Sequence, residues 1–123
     1  MPLIAVTPND TMLKGIPSNN FFSGMSVNLD GESAWDIYHS VVFEFPDLDQ
    51  SFTLTVRGGA PELRDGGSED ADIHVRIDSL DFKRMLAGIR NPALAILSDF
   101  EYVKAGRIGF TRFMRLFELD VEG

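Results

Sequence analysis

The sequence predicts an α+β fold, with an antiparallel (mixed) sheet of about five strands and helices packed on one face. Residues 72–77 alternate between polar and apolar side chains, which is the period of a half-buried strand. The apolar spacing then changes to that of one helical stripe, at Phe82, Met85, Leu86 and Ile89. Strand patterns and helix patterns are grouped along the chain and do not alternate, so segregated layers are expected.

The N-terminal part of the chain is interrupted by prolines and a glycine. We interpret residues 1–17 as an extended lead or linker with one helical turn at 10–14, and residues 18–123 as a single domain. Ser18 is suited to cap a helix over residues 19–29, where the apolar residues follow helical spacing.

The middle of the chain reads as strands. Residues 35–45 and 51–57 both alternate in polarity, and the turn sequence 46–50 between them predicts a long hairpin. The alternation places Trp35 on the inward side of the first strand. A short strand near 61–64 is expected to follow.

The remaining elements are predicted from caps and spacing. Asp78 or Ser79 can cap the helix after the central strand, and Gly88 can end it. Pro92 is placed to begin a second short helix, and residues 99–104 can add a last strand. A final amphipathic helix is marked by four large apolar residues, Phe110, Phe113, Met114 and Phe117.

The charge of the chain excludes several classes of partner. A net charge of −8 disfavours nucleic acid and anionic membranes, both of which need clustered Lys and Arg. The sequence has no basic, apolar secretory signal and no stretch long enough for a membrane span, so a soluble, cytoplasmic protein is expected.

The sequence contains no pattern for catalysis by this chain alone. Its two histidines, His39 and His74, lie in predicted strands, and two histidines are too few for a catalytic zinc site. The acidic loop at 65–70 lacks the ligand spacing of a calcium loop, and there is no cysteine, nucleophile elbow or phosphate-binding glycine motif. No metal or cofactor is therefore expected.

Several segments resemble a known family, the sterol carrier protein type-2-like lipid-binding domains. The strand-to-helix sequence at 71–78, the following Phe82, the Leu-Ala-Gly at 86–88 and the helix at 92–99 are similar to that family's pattern. Residues 22–34 and 43–56 are similar to the C-terminal part of linear alkylsulfatases. The resemblance implies a domain that binds an apolar molecule, working alone or beside a metallo-hydrolase catalytic domain.

The apolar stripe of the predicted helices is the candidate ligand-binding surface. We expect a fatty chain, a sterol-like lipid or an alkyl sulfate to lie in a tunnel between the helices and the sheet. A buried methylene contributes about 0.8 kcal/mol, so a dodecyl chain offers roughly 9 kcal/mol before entropic costs. The candidate contacts are Phe82, Met85, Leu86, Ile89, Leu97, Phe110, Phe113, Met114 and Phe117, with Leu94 on the same stripe.

Two questions stay open at this point. Arg84, Arg90 or Arg107 could meet an anionic head group. The same stripe is also consistent with a structural or oligomerisation module whose interior is filled by its own side chains, because buried Phe and Met serve as core more often than as ligand contacts. Whether these residues line a cavity or are fully packed discriminates the two functions.

Overall fold

The computed structural model describes residues 9–121 and confirms the α+β prediction. A five-stranded mixed sheet has the order β3-β2-β1-β4-β5. Its strands are β1 (Tyr38–Phe45), β2 (Gln50–Arg57), β3 (Ala60–Asp65), β4 (Ile73–Arg76) and β5 (Glu101–Lys104). The helices are α1 (Asp10–Gly15), α2 (Ser18–Val27), α3 (Ser79–Leu86), α4 (Pro92–Ser98) and α5 (Arg107–Arg115).

The predicted hairpin is the antiparallel pair β1–β2, in which Phe43 lies opposite Phe52. A short 3-10 turn, Pro46–Leu48, connects the two strands. The sheet is mixed because β4 pairs with β1 in parallel, with Val75 beside Phe43. The inward side chains of these strands form the floor on which the helices pack.

The first strand is shorter than the sequence predicted. Strand β1 begins at Tyr38, and Trp35 is 74% exposed, so the expectation that Trp35 faces inward is wrong. Local backbone bonds form a turn there instead: Ala34 N donates to Asp30 O at 3.0 Å and Ile37 N donates to Ala34 O at 3.1 Å. A turn stabilised in this way ends the extended conformation that the alternation suggested.

The caps of α3 follow the prediction. Asp78 Oδ1 accepts a hydrogen bond from Leu80 N at 2.9 Å, which satisfies one of the free amides of the helix start. Asp47, from the 3-10 turn, accepts hydrogen bonds from Ser79 N and Oγ. Gly88 adopts a φ of +79° just after the helix, where a residue with a Cβ would be strained.

Helix α1 includes the helical turn predicted at 10–14 and lies against α3. Leu13 is buried, and Arg84 of α3 donates two hydrogen bonds to the carboxylate of Asp10, at 3.1 and 2.6 Å. The predicted boundary between lead and domain falls at the junction of α1 and α2, and residues 1–8 of the lead lie outside the described residues.

The interior between the helices and the sheet is filled with aromatic rings. Phe22 of α2 is completely buried, and its ring centroid lies 4.9 Å from Phe82 of α3 and 5.1 Å from Phe43 of β1. Phe45 and Phe52 complete the ring cluster around it. Such contacts contribute about 0.5–1.5 kcal/mol per pair beyond the burial of area.

We predict that Phe22→Ala lowers the free energy of unfolding by about 3–5 kcal/mol, because it removes the ring that joins α2 to α3 and the sheet. Val27→Ala is the matched control, since Val27 belongs to the same helix and is 84% exposed. It should change the free energy by about 0.5 kcal/mol at most. Urea unfolding followed by circular dichroism measures both, and equal losses would contradict the packing described here.

The outward face of the sheet carries a charged network centred on Glu44. Arg76 Nε donates to Glu44 Oε2 at 2.9 Å, and His74 Nε2 lies 2.9 Å from Glu44 Oε1. Arg76 also pairs with Glu101. The hydrogen bond from Arg76 is the main reason that the pKa of Glu44 lies below its ordinary value of 4.5.

A lowered pKa makes the contribution of Glu44 to stability dependent on pH. The contribution is complete above the ordinary pKa and is lost as the pH falls through the lowered one. We therefore predict that the stability difference between the wild type and Glu44→Gln is complete at neutral pH, shrinks as the pH falls below 4.5, and is lost once the pH is below the lowered pKa of Glu44. Urea unfolding at several pH values measures it. Glu69→Gln in the exposed 65–70 loop is the control, and the same change with pH in both variants would contradict the role given to Glu44.

Candidate ligand-binding site

An apolar groove lies between α2, the end of α3 and the chain that follows α5. Its volume is about 390 Å³. Asn20 and Asn28 supply its polar lining, and the rest of the lining is apolar or glycine. The lining residues are Ile16, Asn20, Phe21, Gly24, Met25, Asn28, Leu86, Phe117 and Leu119.

The pattern of α2 explains how the groove forms. Phe22 and Met25 lie on the buried side of the helix, while Phe21 and Gly24, three residues apart, lie on the adjacent side and line the groove. An added Cβ at Gly24 would meet no heavy atom within 4 Å. The absence of a side chain at this position therefore leaves the middle of the groove open.

The predicted contact residues are divided among three environments. Leu86 and Phe117 line the groove, and Phe117, which is 1% exposed, also belongs to the packed core. Five others belong to the packed core and are at most 3% exposed: Phe82, Met85, Phe110, Phe113 and Met114. Ile89 and Leu97 lie at the surface, 43% and 57% exposed, together with Leu94.

The space in which a tunnel was expected is occupied by side chains of the protein itself. The ring centroid of Phe110 in α5 lies 5.8 Å from that of Phe43 and 4.8 Å from that of Phe100. The ring centroids of Phe113 and Phe117 are 5.4 Å apart. Beside α2, in contrast, the described residues leave an apolar groove open at the surface.

A second, more polar cavity adjoins the groove. It has a volume of about 740 Å³ and extends from the junction of α1 and α2 to the start of α3. Ile16 lines both cavities. The polar cavity is lined by Lys14, Ile16, Pro17, Ser18, Asn19, Asp47, Leu48, Gln50, Phe52, Asp65, Asp78, Ser79, Leu80 and Lys83.

Lys83 is a charged side chain buried at this cavity, and it is only 4% exposed. Its Nζ donates to the backbone oxygen of Ile16 at 2.6 Å and lies 5.8 Å from the centre of the Phe21 ring. Within the described part of the chain, no carboxylate lies at salt-bridge distance from it. Burial lowers the pKa of the ammonium group, and the charge of Asp47 opposes this effect.

Ser18 is the second buried polar group of the same cavity. It is 5% exposed, and its Oγ has no hydrogen-bond partner among residues 9–121. A buried hydroxyl without a partner costs free energy, so its position at a cavity indicates unused hydrogen-bonding capacity there.

The arginines expected to meet a head group are largely occupied elsewhere. Arg84 is paired with Asp10 and Asp81. Arg90 donates to both carboxylate oxygens of Asp99, at 2.9 and 3.0 Å. Arg107 begins α5 and lines neither cavity.

Sequence reasoning missed Lys83 and most of the groove. Lys83 follows Ser79 by four residues and precedes Leu86 by three, so helical spacing alone places it on the inward side of α3. That signal was present in the sequence. The role of Ile16 was not visible, because residues 1–17 read as a lead and its contact with Lys83 spans 67 residues.

The described residues contain neither a metal-binding cluster around the histidines nor a membrane-spanning helix. His39 Nδ1 lies 3.8 Å from Asp72, and His74 contacts Glu44. Residues 9–121 contain no cluster of three or more His, Asp or Glu placed to hold a metal ion. No helix within the same range has the length and apolar character to cross a membrane.

Comparison with known proteins places these features in a family. The chain matches a family described as "Alkyl sulfatase C-terminal" over residues 6–119. A linear primary-alkylsulfatase from Pseudomonas sp. (strain ATCC 19151) is 27% identical over 111 residues, which are 89% of this chain and 21% of that protein. The chain thus spans about a fifth of the length of this curated relative.

Solved structures show the same fold. A stereoselective inverting sec-alkylsulfatase from Pseudomonas sp. aligns with a TM-score of 0.69 and 23% identity, over 88% of this chain and 17% of that one. A crystal structure of sterol carrier protein 2 aligns with a TM-score of 0.56 and 16% identity, over 84% of this chain and 95% of that one. The expected sterol-carrier-like fold is confirmed.

The two serines of the polar cavity should respond differently to alanine. Ser18→Ala removes a hydroxyl without a partner and should leave the free energy of unfolding unchanged or raise it by up to about 1 kcal/mol. Ser79→Ala removes the hydroxyl that donates to Asp47 Oδ2 at 2.5 Å, and should lower it by about 1–3 kcal/mol. Urea unfolding compares them, and a loss at Ser18 equal to that at Ser79 would contradict this difference.

Proposed function

The chain belongs to the alkyl sulfatase C-terminal family, and from this premise we propose that it is a non-catalytic module that binds an alkyl chain in the groove beside α2. The observation that carries the proposal is the apolar lining of that groove, with Phe21, Met25 and Leu86 on its walls. Ligand sites are typically concave, largely preformed and lined by apolar and aromatic residues, with volumes of about 300–1,000 Å³. At about 390 Å³ the groove is at the small end of that range.

Transfer of methylene groups from water supplies the binding free energy. Each methylene that becomes buried contributes about 0.8 kcal/mol, and immobilisation of the ligand offsets part of the sum. The groove is open to solvent along one side, so only part of a long chain is buried in it. We therefore propose reversible binding of single-chain amphiphiles, with alkyl sulfates as the leading class because the relatives are named alkylsulfatases.

The partner in this proposal is a catalytic part of a larger enzyme. The chain spans about a fifth of its curated alkylsulfatase relative, so most of that relative lies outside the matched region. In this proposal the module holds the alkyl chain of a substrate, while hydrolysis of the sulfate ester belongs to the other part. The fold alone does not specify such a role, which depends on the groove.

A structural module is the second candidate function. It is supported by the filled interior and by the exposed apolar residues Leu94 and Leu97, which lie three residues apart on one side of α4. Such a surface would contact a catalytic part or a second copy of the chain. Analytical ultracentrifugation with Leu97→Asp tests self-association, since loss of a dimer in this variant would favour the structural function.

The groove can be closed by a substitution that the helix tolerates. Gly24→Leu should fill the middle of the groove, displacing about three ligand methylenes and weakening the binding of decanol roughly fiftyfold. Decanol is chosen because it has an alkyl chain and no charge. Isothermal titration calorimetry, below the solubility limit of the alcohol, measures the change.

Gly24→Ala is the matched control. Its single methyl group should weaken binding by no more than about fourfold. Both variants replace a helical glycine and so should not lower the free energy of unfolding. Equal binding of decanol by the wild type and Gly24→Leu, or no saturable binding by the wild type, would refute the proposed function.

A further inference from the structure

Lys83 has unused capacity to bind an anion. An ammonium group has three N–H donors, and one of them is used by the Ile16 carbonyl. A buried cation is costly unless it is paired and hydrogen-bonded. Lys83 lines the polar cavity and has no ion-pair partner among residues 9–121. The positive charge of Lys83 is therefore left without a paired anion at this site.

The start of α2 adds to the positive potential at the same place. Pro17 precedes this ten-residue helix and provides no side-chain cap. Free amide groups and the helix dipole favour a negative charge at such an end. Ser18, the first residue of α2, lines the cavity, and its buried Oγ has no hydrogen-bond partner among residues 9–121. An oxyanion would accept hydrogen bonds from both Ser18 and Lys83.

The three acidic residues of the cavity, Asp47, Asp65 and Asp78, differ in how far they offset the positive potential of Lys83 and the start of α2. Asp47 accepts hydrogen bonds from Ser79 N and Oγ, and Asp78 accepts one from Leu80 N. Both carboxylates therefore serve the start of α3, and the charge of Asp47 also acts on the Lys83 ammonium beyond salt-bridge distance. Asp65, at the end of β3, is left as the acidic residue without such a role.

The polar cavity and the apolar groove are neighbours that share one lining residue. Ile16 lines both, and Phe21 lines the groove while its ring lies 5.8 Å from Lys83 Nζ. A molecule with a charged head and an alkyl tail would thus find a cation and an apolar surface at adjacent positions. A neutral alcohol would use only the second of these.

We propose that Lys83 and Ser18 form a head-group subsite for a sulfate or carboxylate, so that the module binds anionic amphiphiles with the head beside the junction of α1 and α2 and the tail in the groove. This inference rests on the proposed function for the position of the tail. The net charge of −8 repels anions at long range, so any preference for an anionic ligand has to come from a local site.

The test compares ligands with the same tail and different heads. Calorimetric titrations with decyl sulfate, decanoate and decanol are made below the concentration at which micelles form. The wild type should bind both anions about tenfold more tightly than decanol, the effect of one charge-assisted hydrogen-bond cluster. The affinities for decyl sulfate and decanoate, compared with each other, show which head group the site binds more tightly.

Lys83→Met should remove this preference and leave the affinity for decanol unchanged. Arg112→Met is the control, because Arg112 is exposed on α5, lines neither cavity and carries the same unit charge. It should keep the preference. An unchanged preference in Lys83→Met, or an equal loss in Arg112→Met, would overturn the head-group subsite.

Two further readouts separate the possible failures. Lys83→Met could lose all binding because the α1–α2 junction is lost, and Ser18→Ala then decides. Ser18→Ala should weaken the binding of decyl sulfate a few-fold and leave the affinity for decanol unchanged. An unchanged affinity for decyl sulfate would overturn the subsite. If Gly24→Leu leaves decanol binding intact, the proposed function fails. If it weakens decanol binding while the wild type does not prefer anions, only the head-group inference fails.

Discussion

The packing of one ring, Phe22, determines where this domain has room for a ligand. The ring contacts Phe82 of α3, Phe43 of β1 and Phe52 of β2, so α2, α3 and the sheet are joined through a single buried side chain. Interiors are close-packed, and separating these elements would expose several rings to water. The helices therefore pack directly on the sheet, and the apolar surface that stays open lies on the outer side of α2.

The sequence predicted this layered fold because its signals are local. The alternation around β2 and the caps of α3 are properties of short segments, and both were correct. The division of the apolar residues between core and surface was not predictable, because Met85 and Leu97 are both apolar helix residues and only packing leaves one buried and the other 57% exposed. Trp35 shows the opposite limit: its alternating position was overridden by a local turn.

Ion pairing explains why Lys83, the buried cation of the polar cavity, was also missed. Arginines were the obvious candidates, but Arg84 connects α3 to Asp10 and Arg90 connects two neighbouring segments through Asp99. Their guanidinium groups form paired hydrogen bonds with carboxylates, which fixes them in structural roles. Lys83 reaches a backbone carbonyl instead and keeps two donors. These donors lie at the polar cavity, where the contacts of the Lys83 ammonium are the Ile16 carbonyl and the Phe21 ring.

The groove combines distant parts of the chain, so the proposed binding of a ligand would have a structural consequence. Its walls come from residues 16–28, from Leu86 and from residues 117–119. A ligand that binds only the folded groove stabilises the domain by RT ln(1 + [L]/Kd), which is about 2.7 kcal/mol at a hundredfold excess over Kd. The contact between Lys83 and Ile16 lies at the same junction. A bound amphiphile would therefore stabilise the packing of α1 and α2 against α3. In turn, this packing would strengthen the binding of the amphiphile.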